Sequence, residues 1–268
     1  MEITIALAQM SVAVGRSEDN WSVARSLAAQ AVAQDAELLL LPELWATGYD
    51  LDNITEYASP LDSGHFSWMA ELAQTHRLHV AGTALEANPE GRPFNTAALY
   101  GPDGDCLGAY RKVHLWAPLG EVEMMTPGDT LPVFDLPSGR VAMAICYDLR
   151  FPELWRCLAD SGAQLILIPA EWPALRVEHW QLLLRARAVE NQLFVAGCNR
   201  AGADADGEFG GHSAVVDPWA RVVVEGDSEP GLFVATIQMD KVTRARQMLP
   251  FLADRRPEVY GGRRTGTH

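Results

Sequence analysis

The stretch Val141-Ala-Met-Ala-Ile-Cys146-Tyr-Asp-Leu-Arg150-Phe-Pro-Glu153 decides how the chain is read. Its first six residues are an apolar run of strand length, and residues 151–160 read as a helix after a short turn. The same rhythm continues downstream, with strands at 164–168 and 192–198 around a helix at 175–190. Hairpin-like segments at 212–225 and 231–237 then precede a short helix near 239–248. Upstream, Ile3, Ile5 and Leu7 alternate with smaller or polar residues as a strand does. Residues 17–34 place Trp21, Val23, Ala24, Leu27, Ala28 and Ala31 at helical spacing, with Ser17 the expected N-cap. A buried strand is expected at 36–41, stopped by Pro42, then a helix at 63–77 and a strand at 78–85. Segments 94–100 and 106–113 flank Gly-Pro-Asp-Gly (101–104), a hairpin signal. Strand and helix alternate without a Gly/Ser-rich or Pro-rich linker, so one α/β domain over residues 1–268 is expected.

Composition narrows the function classes. The 268 residues are 48% hydrophobic and 21% charged, as in ordinary globular proteins. Acidic residues outnumber basic ones 35 to 21, a formal charge of −14. That field repels phosphate backbones and anionic lipid headgroups, so neither nucleic acid nor membrane is an expected partner. The first residues lack a basic start and a long apolar stretch, and no apolar run reaches the roughly 18 residues of a membrane span. Cys106, Cys146, Cys157 and Cys198 are spaced like neither a zinc knuckle nor a disulfide framework, which suits a cytoplasmic protein with free thiols and no metal. GxGxxG, GxxxxGK, HExxH, GxSxG and SxxK are all missing, so no cofactor is expected. Lys112 and Lys241 are the only lysines beside 19 arginines.

Three residues at strand ends can carry chemistry. Cys146 ends an apolar strand where helix N–H groups favour an anion, although a core thiol is the plainer reading of its position alone. Glu43 follows the leucine run 38–41, and contact with Leu44, Trp45 and Tyr49 is expected to desolvate it and raise its pKa toward that of a general base. An exposed loop glutamate is the alternative. Lys112, in Tyr110-Arg-Lys-Val-His-Leu115, is either a point charge for an oxyanion or a solvated edge lysine.

A strand-end Glu, Lys and Cys in that order resembles the nitrilase superfamily of carbon–nitrogen hydrolases. The resemblance rests on Leu41-Pro-Glu-Leu44, Tyr110-Arg-Lys-Val-His-Leu115 and Ile145-Cys-Tyr-Asp-Leu-Arg-Phe-Pro-Glu153. It extends through Ile168-Pro-Ala-Glu-Trp172, Ala186-Arg-Ala-Val-Glu-Asn-Gln192 and Gly211-His-Ser-Ala-Val-Val-Asp-Pro218, essentially the whole chain. It implies a four-layer αββα sandwich, with Glu43 as general base, Lys112 as oxyanion stabiliser and Cys146 as nucleophile. Cys146 would attack an amide carbonyl, the oxyanion meeting Lys112 and the Tyr147 N–H, and a thioester would form as ammonia departs. The family's second glutamate has two candidates, Glu121 and Glu123, of which Glu121, seven residues beyond His114, is the better match. The helix 175–190 is of the kind that packs across a dimer interface in the family, so a homodimer or higher homo-oligomer is expected.

Within the superfamily, Cys146-Tyr-Asp-Leu-Arg-Phe-Pro-Glu153 with His179-Trp180 is similar to the omega-amidase branch. The implied substrates are small carboxylic-acid amides such as 2-oxoglutaramate and 2-oxosuccinamate. Such an anion needs a local cation, for which Arg150 and Arg176 are candidates. A structural pair of Arg150 with Asp148 or Glu153 is the favoured alternative. Trp45, Tyr49 and Trp172 are candidates for the pocket wall. Two positions depart from the family's pattern. Glu171 stands where a neutral residue is usual and would disfavour anionic substrates if it pointed inward, and Ala220 stands where a hairpin glycine is common. An N-carbamoyl amino acid or aliphatic amide hydrolase is the nearest alternative, and a non-catalytic binding protein that keeps the fold is the alternative of another class.

Overall fold

Two buried faces on one strand set the architecture. In β1 (Glu2–Gln9), Ile3, Ile5 and Leu7 join one apolar cluster while Ala6 and Ala8 join another. Successive strand side chains point to opposite faces, so this sheet is covered on both sides. The computed structural model describes residues 1–260. Its next strands are β2 (Leu38–Leu40), β3 (His79–Glu86), β4 (Phe94–Tyr100), β5 (Cys106–Arg111), β6 (Val133–Leu136) and β7 (Gly139–Met143). The second half adds β8 (Leu165–Ala170), β9 (Phe194–Asn199), β10 (Ala201–Asp204), β11 (Gly207–Gly210), β12 (Ala214–Val216), β13 (Val222–Glu225) and β14 (Gly231–Gln238).

They form two six-stranded sheets, ordered β14-β1-β2-β3-β4-β5 and β13-β12-β9-β8-β7-β6, and a small β10-β11 hairpin. Each large sheet has two parallel pairings at its centre, β1–β2–β3 and β7–β8–β9, with antiparallel strands outside. The sheets pack face to face, Ile5, Leu7, Leu38, Leu40 and Leu99 of the first sharing a core with Val141, Ile166 and Phe194 of the second. Helices Ser17–Val32 and Gly64–His76 cover the first sheet with Ala24, Leu27, Ala28, Phe66, Met69 and Leu72. Helices Pro152–Asp160 and Val177–Asn191 bring Trp155, Leu158, Trp180 and Leu184 to the second. The result is an αββα sandwich.

The departures from the expected elements are local. Ser17 is the first helical residue rather than the cap, and its helix has no side-chain cap. Strand 106–113 ends at Arg111, and the Lys112 side chain beyond it enters a buried cluster. Segment 231–237 does not form a hairpin with 212–225. As β14 it crosses to the other sheet and pairs antiparallel with β1 along its whole length, a long-range register that no turn signal encodes. The β10–β11 hairpin and β6 are additional. Ala220 sits at φ 60°, the left-handed conformation that favours the glycine it replaces.

Parallel strands put their C-terminal ends on one edge, the place where open α/β sheets hold ligands. Glu43 follows β2, Cys146 follows β7, Glu171 follows β8 and Arg200 follows β9.

Candidate active site

Cys146 opens a short 3-10 turn (Cys146–Arg150) at φ 42°, a strained posture for a residue with a Cβ. Asp148 stabilises this turn. Its Oδ2 accepts from the Ile145 N–H at 2.9 Å and the Tyr110 hydroxyl at 2.7 Å, and its Oδ1 faces the His114 N–H at 3.0 Å and Nδ1 at 2.8 Å. One buried carboxylate thereby ties the turn to the segment that carries Lys112. From the opposite side the buried Arg187 donates its Nε–H to the Leu149 carbonyl at 3.0 Å.

Glu43, Lys112, Glu121 and Cys146 converge in the interior, all of them buried. Lys112 Nζ donates to Glu43 Oε1 at 2.8 Å and to Glu121 Oε1 at 2.6 Å. Asn95 Nδ2 donates to Glu43 Oε1 at 2.8 Å, and the Glu171 N–H donates to Glu43 Oε2 at 3.1 Å. Glu121 also accepts from the Trp116 N–H, so of the two candidate glutamates it is the one in the cluster.

These contacts correct the expectation that apolar neighbours raise the Glu43 pKa. Burial alone would do so, but the Lys112 ammonium and the hydrogen bonds outweigh it and hold Glu43 below the usual carboxylate value. Cys146 goes the other way. Burial and the Glu43 carboxylate push its thiol well above the ordinary value, against the pull of Lys112. The resting pair is therefore a neutral thiol beside an ionised carboxylate. Lys112 stays charged, because its two carboxyl partners outweigh its burial. Such a set can take a proton from sulfur only as sulfur bonds to something else, and it holds a cation where an oxyanion would form.

The cavity that reaches Cys146 has a volume of about 260 Å³. Tyr147, Arg150 and Trp172 line it, together with Trp116, Glu171 and Arg176. Tyr49 is not in that wall. Its hydroxyl lies 2.7 Å from Glu43 Oε1 and also reaches Glu121, inside the cluster. Trp45 is not there either. It packs between Trp21 and Trp68, each ring centroid 6.3 Å away, beneath the helices of the first sheet.

The Arg150 pairing with Asp148 or Glu153 does not form, and Ile145, Tyr110 and His114 occupy the Asp148 carboxylate instead. Arg150 instead lies over Trp172 at 4.5 Å, and Arg176 lies 5.7 Å from the Trp116 ring. Neither arginine has an ion pair among the described residues. Burial lowers the Arg150 pKa, and the like charge of Arg176 adds to this. Arg150 and Arg176 thus bring two cations to one small cavity.

The Glu171 backbone borders this site, but its carboxyl is sealed from solvent and is not a free charge. Arg200 Nη1 holds its Oε2 at 2.8 Å, and burial raises its pKa to about 8. Asn95, Arg200 and Asp148's clamping role were not expected from the sequence. Their one local signal is a polar side chain interrupting an apolar strand or its end, as in Phe94-Asn95-Thr96 and Cys198-Asn199-Arg200. No group of three or more side chains among the described residues is arranged to hold a metal ion. No described helix is long and apolar enough to cross a membrane.

Residues 4–247 match the carbon–nitrogen hydrolase family. The chain is 36% identical to a 2-oxoglutaramate amidase of Bacillus subtilis (strain 168), over 97% of this chain and 100% of that protein. It is 34% identical to the human omega-amidase NIT2, over 96% of both chains. A mutant of the amidase from Nesterenkonia sp. AN1, with covalent addition of the acetamide moiety of fluoroacetamide at its active-site cysteine, superposes with a TM-score of 0.86 at 30% identity, covering 97% of this chain and 96% of that one. With the family matched along nearly the whole chain and relatives of this kind at full length, the protein belongs to the carbon–nitrogen hydrolases and is a hydrolase acting on amides.

Proposed function

We propose that this amidase hydrolyses the terminal amide of small carboxylic-acid amides of the 2-oxoglutaramate type through a thioester on Cys146. The observation that carries the reading is the cavity itself. At one end it reaches Cys146, backed by Glu43 and Lys112, and its wall carries Arg150 and Arg176, cations without an ion pair among the described residues. A substrate with an amide at one end and a carboxylate at the other satisfies both features, and a charged end is otherwise opposed by the protein's net charge of −14. The names of the relatives in Bacillus subtilis and human agree with this substrate class.

In the proposed reaction Cys146 Sγ bonds to the amide carbon as Glu43 takes the thiol proton. The carbonyl oxygen becomes negative beside Lys112 and the Tyr147 N–H. As the tetrahedral centre collapses, the C–N bond breaks and Glu43 returns the proton to nitrogen, which leaves as ammonia. Water then attacks the thioester with Glu43 taking its proton. Collapse breaks the C–S bond, releases the acid and restores the Cys146 thiol. Glu121 and Tyr49 keep Lys112 charged and in place. The cysteine adduct of the Nesterenkonia amidase is the solved precedent for a covalent step at sulfur.

Ammonia release from 2-oxoglutaramate, measured beside glutamine, N-carbamoyl-β-alanine and simple aliphatic amides, tests the substrate class. The expected order puts the oxo-amide first. No turnover of oxo-amides at micromolar enzyme, with turnover of a carbamoyl or aliphatic amide, hands the function to that alternative. Mass spectrometry of enzyme stalled with substrate tests the chemistry, and an acyl mass localised to Cys146 is expected. Full activity in Cys146→Ala would remove the thioester.

A further inference from the structure

Tyr49 has one hydroxyl hydrogen and two carboxyl groups within its reach. Its Oη lies 2.7 Å from Glu43 Oε1 and also contacts Glu121 Oε1, and a phenol donates one hydrogen only. Lys112 Nζ completes the set, with Glu43 Oε1 at 2.8 Å, Glu121 Oε1 at 2.6 Å and Tyr49 Oη at 3.3 Å. The three ammonium hydrogens thus face three oxygens, and what is left open is which carboxyl group receives the phenol hydrogen. The fold fixes the phenol in this place. The chain leaves β2 through a tight turn in which the Thr47 and Gly48 N–H groups both donate to the Leu44 carbonyl, at 3.0 and 2.7 Å. The Leu44 N–H is held in turn by the Thr83 hydroxyl at 2.6 Å. Beyond the turn Tyr49 packs with Leu44, Ile54, Leu85 and Met125 and is only 9% exposed.

We infer that Tyr49 is a positioning residue of the base: its hydrogen lies on Glu43 while that carboxylate is ionised and turns to Glu121 once Glu43 holds the thiol proton. This rests on the function proposed above, in which Glu43 takes that proton from Cys146. A carboxylate is a stronger acceptor than a protonated carboxyl group, so after the transfer Glu121 is the better partner. Both oxygen contacts are already formed, so the O–H bond rotates and no heavy atom moves. The bond given up at Glu43 is recovered at Glu121. Glu43 gains and loses a proton twice in each proposed turnover, and a donor that changes partner lowers the cost of every such step. The charged and titratable groups facing Glu43 from the surrounding elements are Lys112, Tyr49, Cys146 and Glu121, while the nearby Glu171 carboxyl is paired with Arg200. Burial raises the Glu43 pKa, and Lys112 and then the Tyr49 hydroxyl bring it down.

Alkylation of Cys146 by iodoacetamide, followed against pH with the adduct localised by mass spectrometry, reads the protonation of Glu43 without turnover. The rate is expected to fall on the acid side as the base is lost. Tyr49→Phe is expected to move this acid limb up by about half a pH unit, because Glu121 already returns part of the hydrogen bond in the wild type. In a Glu121→Gln background the hydrogen has no second carboxylate. There the same substitution is expected to move the limb by about one unit, the worth of a hydrogen bond to a charged group. Glu121→Asp, which draws the second carboxylate back, replaces Glu121→Gln if that variant does not fold. A larger shift in the second background supports the shared hydrogen, since a merely structural loss would move neither limb. A shift no larger there, or none in either background, overturns it while the omega-amidase reading stands. If Glu43→Gln is alkylated as fast as the wild type at every pH, Glu43 is not the base, and the proposed mechanism falls together with the inference.

Discussion

Lys112 is the residue on which the charge balance of the site turns, since it is the cation between the buried carboxyl groups of Glu43 and Glu121. Removing one partner of such a group leaves uncompensated buried charge, a cost of about 3–5 kcal/mol. Lys112→Met is therefore expected to lose roughly 10²–10³-fold in kcat/KM, the usual worth of an oxyanion donor, and to unfold at a lower temperature. Its residual activity carries a further signature. In the wild type Lys112 holds Glu43 below the usual carboxylate value, so the proposed base stays ionised and the acid limb of the pH–rate profile is expected to lie low. Without the ammonium, burial acts alone and raises the Glu43 pKa, so that limb moves to higher pH. An acid limb that stays in place would show that Lys112 does not tune the base. Lys112→Arg keeps the charge and separates its effect from that of shape. The rarity of lysine in this chain fits the result, because a guanidinium fork is broader than the ammonium that two carboxyl groups now grip.

At the scale of elements, the turn Cys146–Arg150 is held by Asp148 more than by its own short helix. Asp148→Asn keeps the volume but presents an NH2 group to positions where only donors now point. A loss of about 2–3 kcal/mol is expected, with Tm lower by about 5–10 °C and a fall in kcat exceeding the change in KM. An unchanged kcat would show that the clamp stabilises the fold without positioning sulfur. The sequence made the ends of these elements legible because apolar runs stop at them. Glu43, Lys112 and Cys146 each stand one to three residues beyond a strand. Their partners were not legible in the same way. Leu44 and Trp45 adjoin Glu43 in the chain, yet Asn95 from β4 and Glu171 from the other sheet adjoin it in space. Those meetings depend on sheet order and on how the two sheets stack, which residue spacing does not encode. Tyr49 and Trp45 were both candidates for the pocket wall, and only the way the chain leaves β2 separates a site residue from a core residue.

At the scale of the whole molecule, the site exists only where the two sheets meet. Glu43 and Lys112 come from the ends of the first sheet, and Cys146, Glu171 and Arg200 from the ends of the second. The strands behind them share one apolar core, in which Ile5, Leu7 and Leu40 pack with Val141, Ile166 and Phe194. The last long strand, β14, completes the first sheet beside β1, so chain from both halves stabilises the same sheet. Separating the sheets would expose that core and strand the charges of the site, so neither sheet has an independently stable partner-free state. A single cooperative transition is therefore expected in urea. The tryptophans supply the check, because Trp21, Trp45 and Trp68 cluster outside the first sheet while Trp155, Trp172 and Trp180 lie with the second. Replacing Trp21 and Trp68 by Phe leaves a fluorescence signal weighted to the second sheet, to be compared with far-UV circular dichroism, which reports both. Coincident midpoints and slopes are expected. A fluorescence transition displaced from the dichroism curve would mean that the sheets unfold separately, and activity followed across the same titration would then vanish with the first sheet or domain to melt.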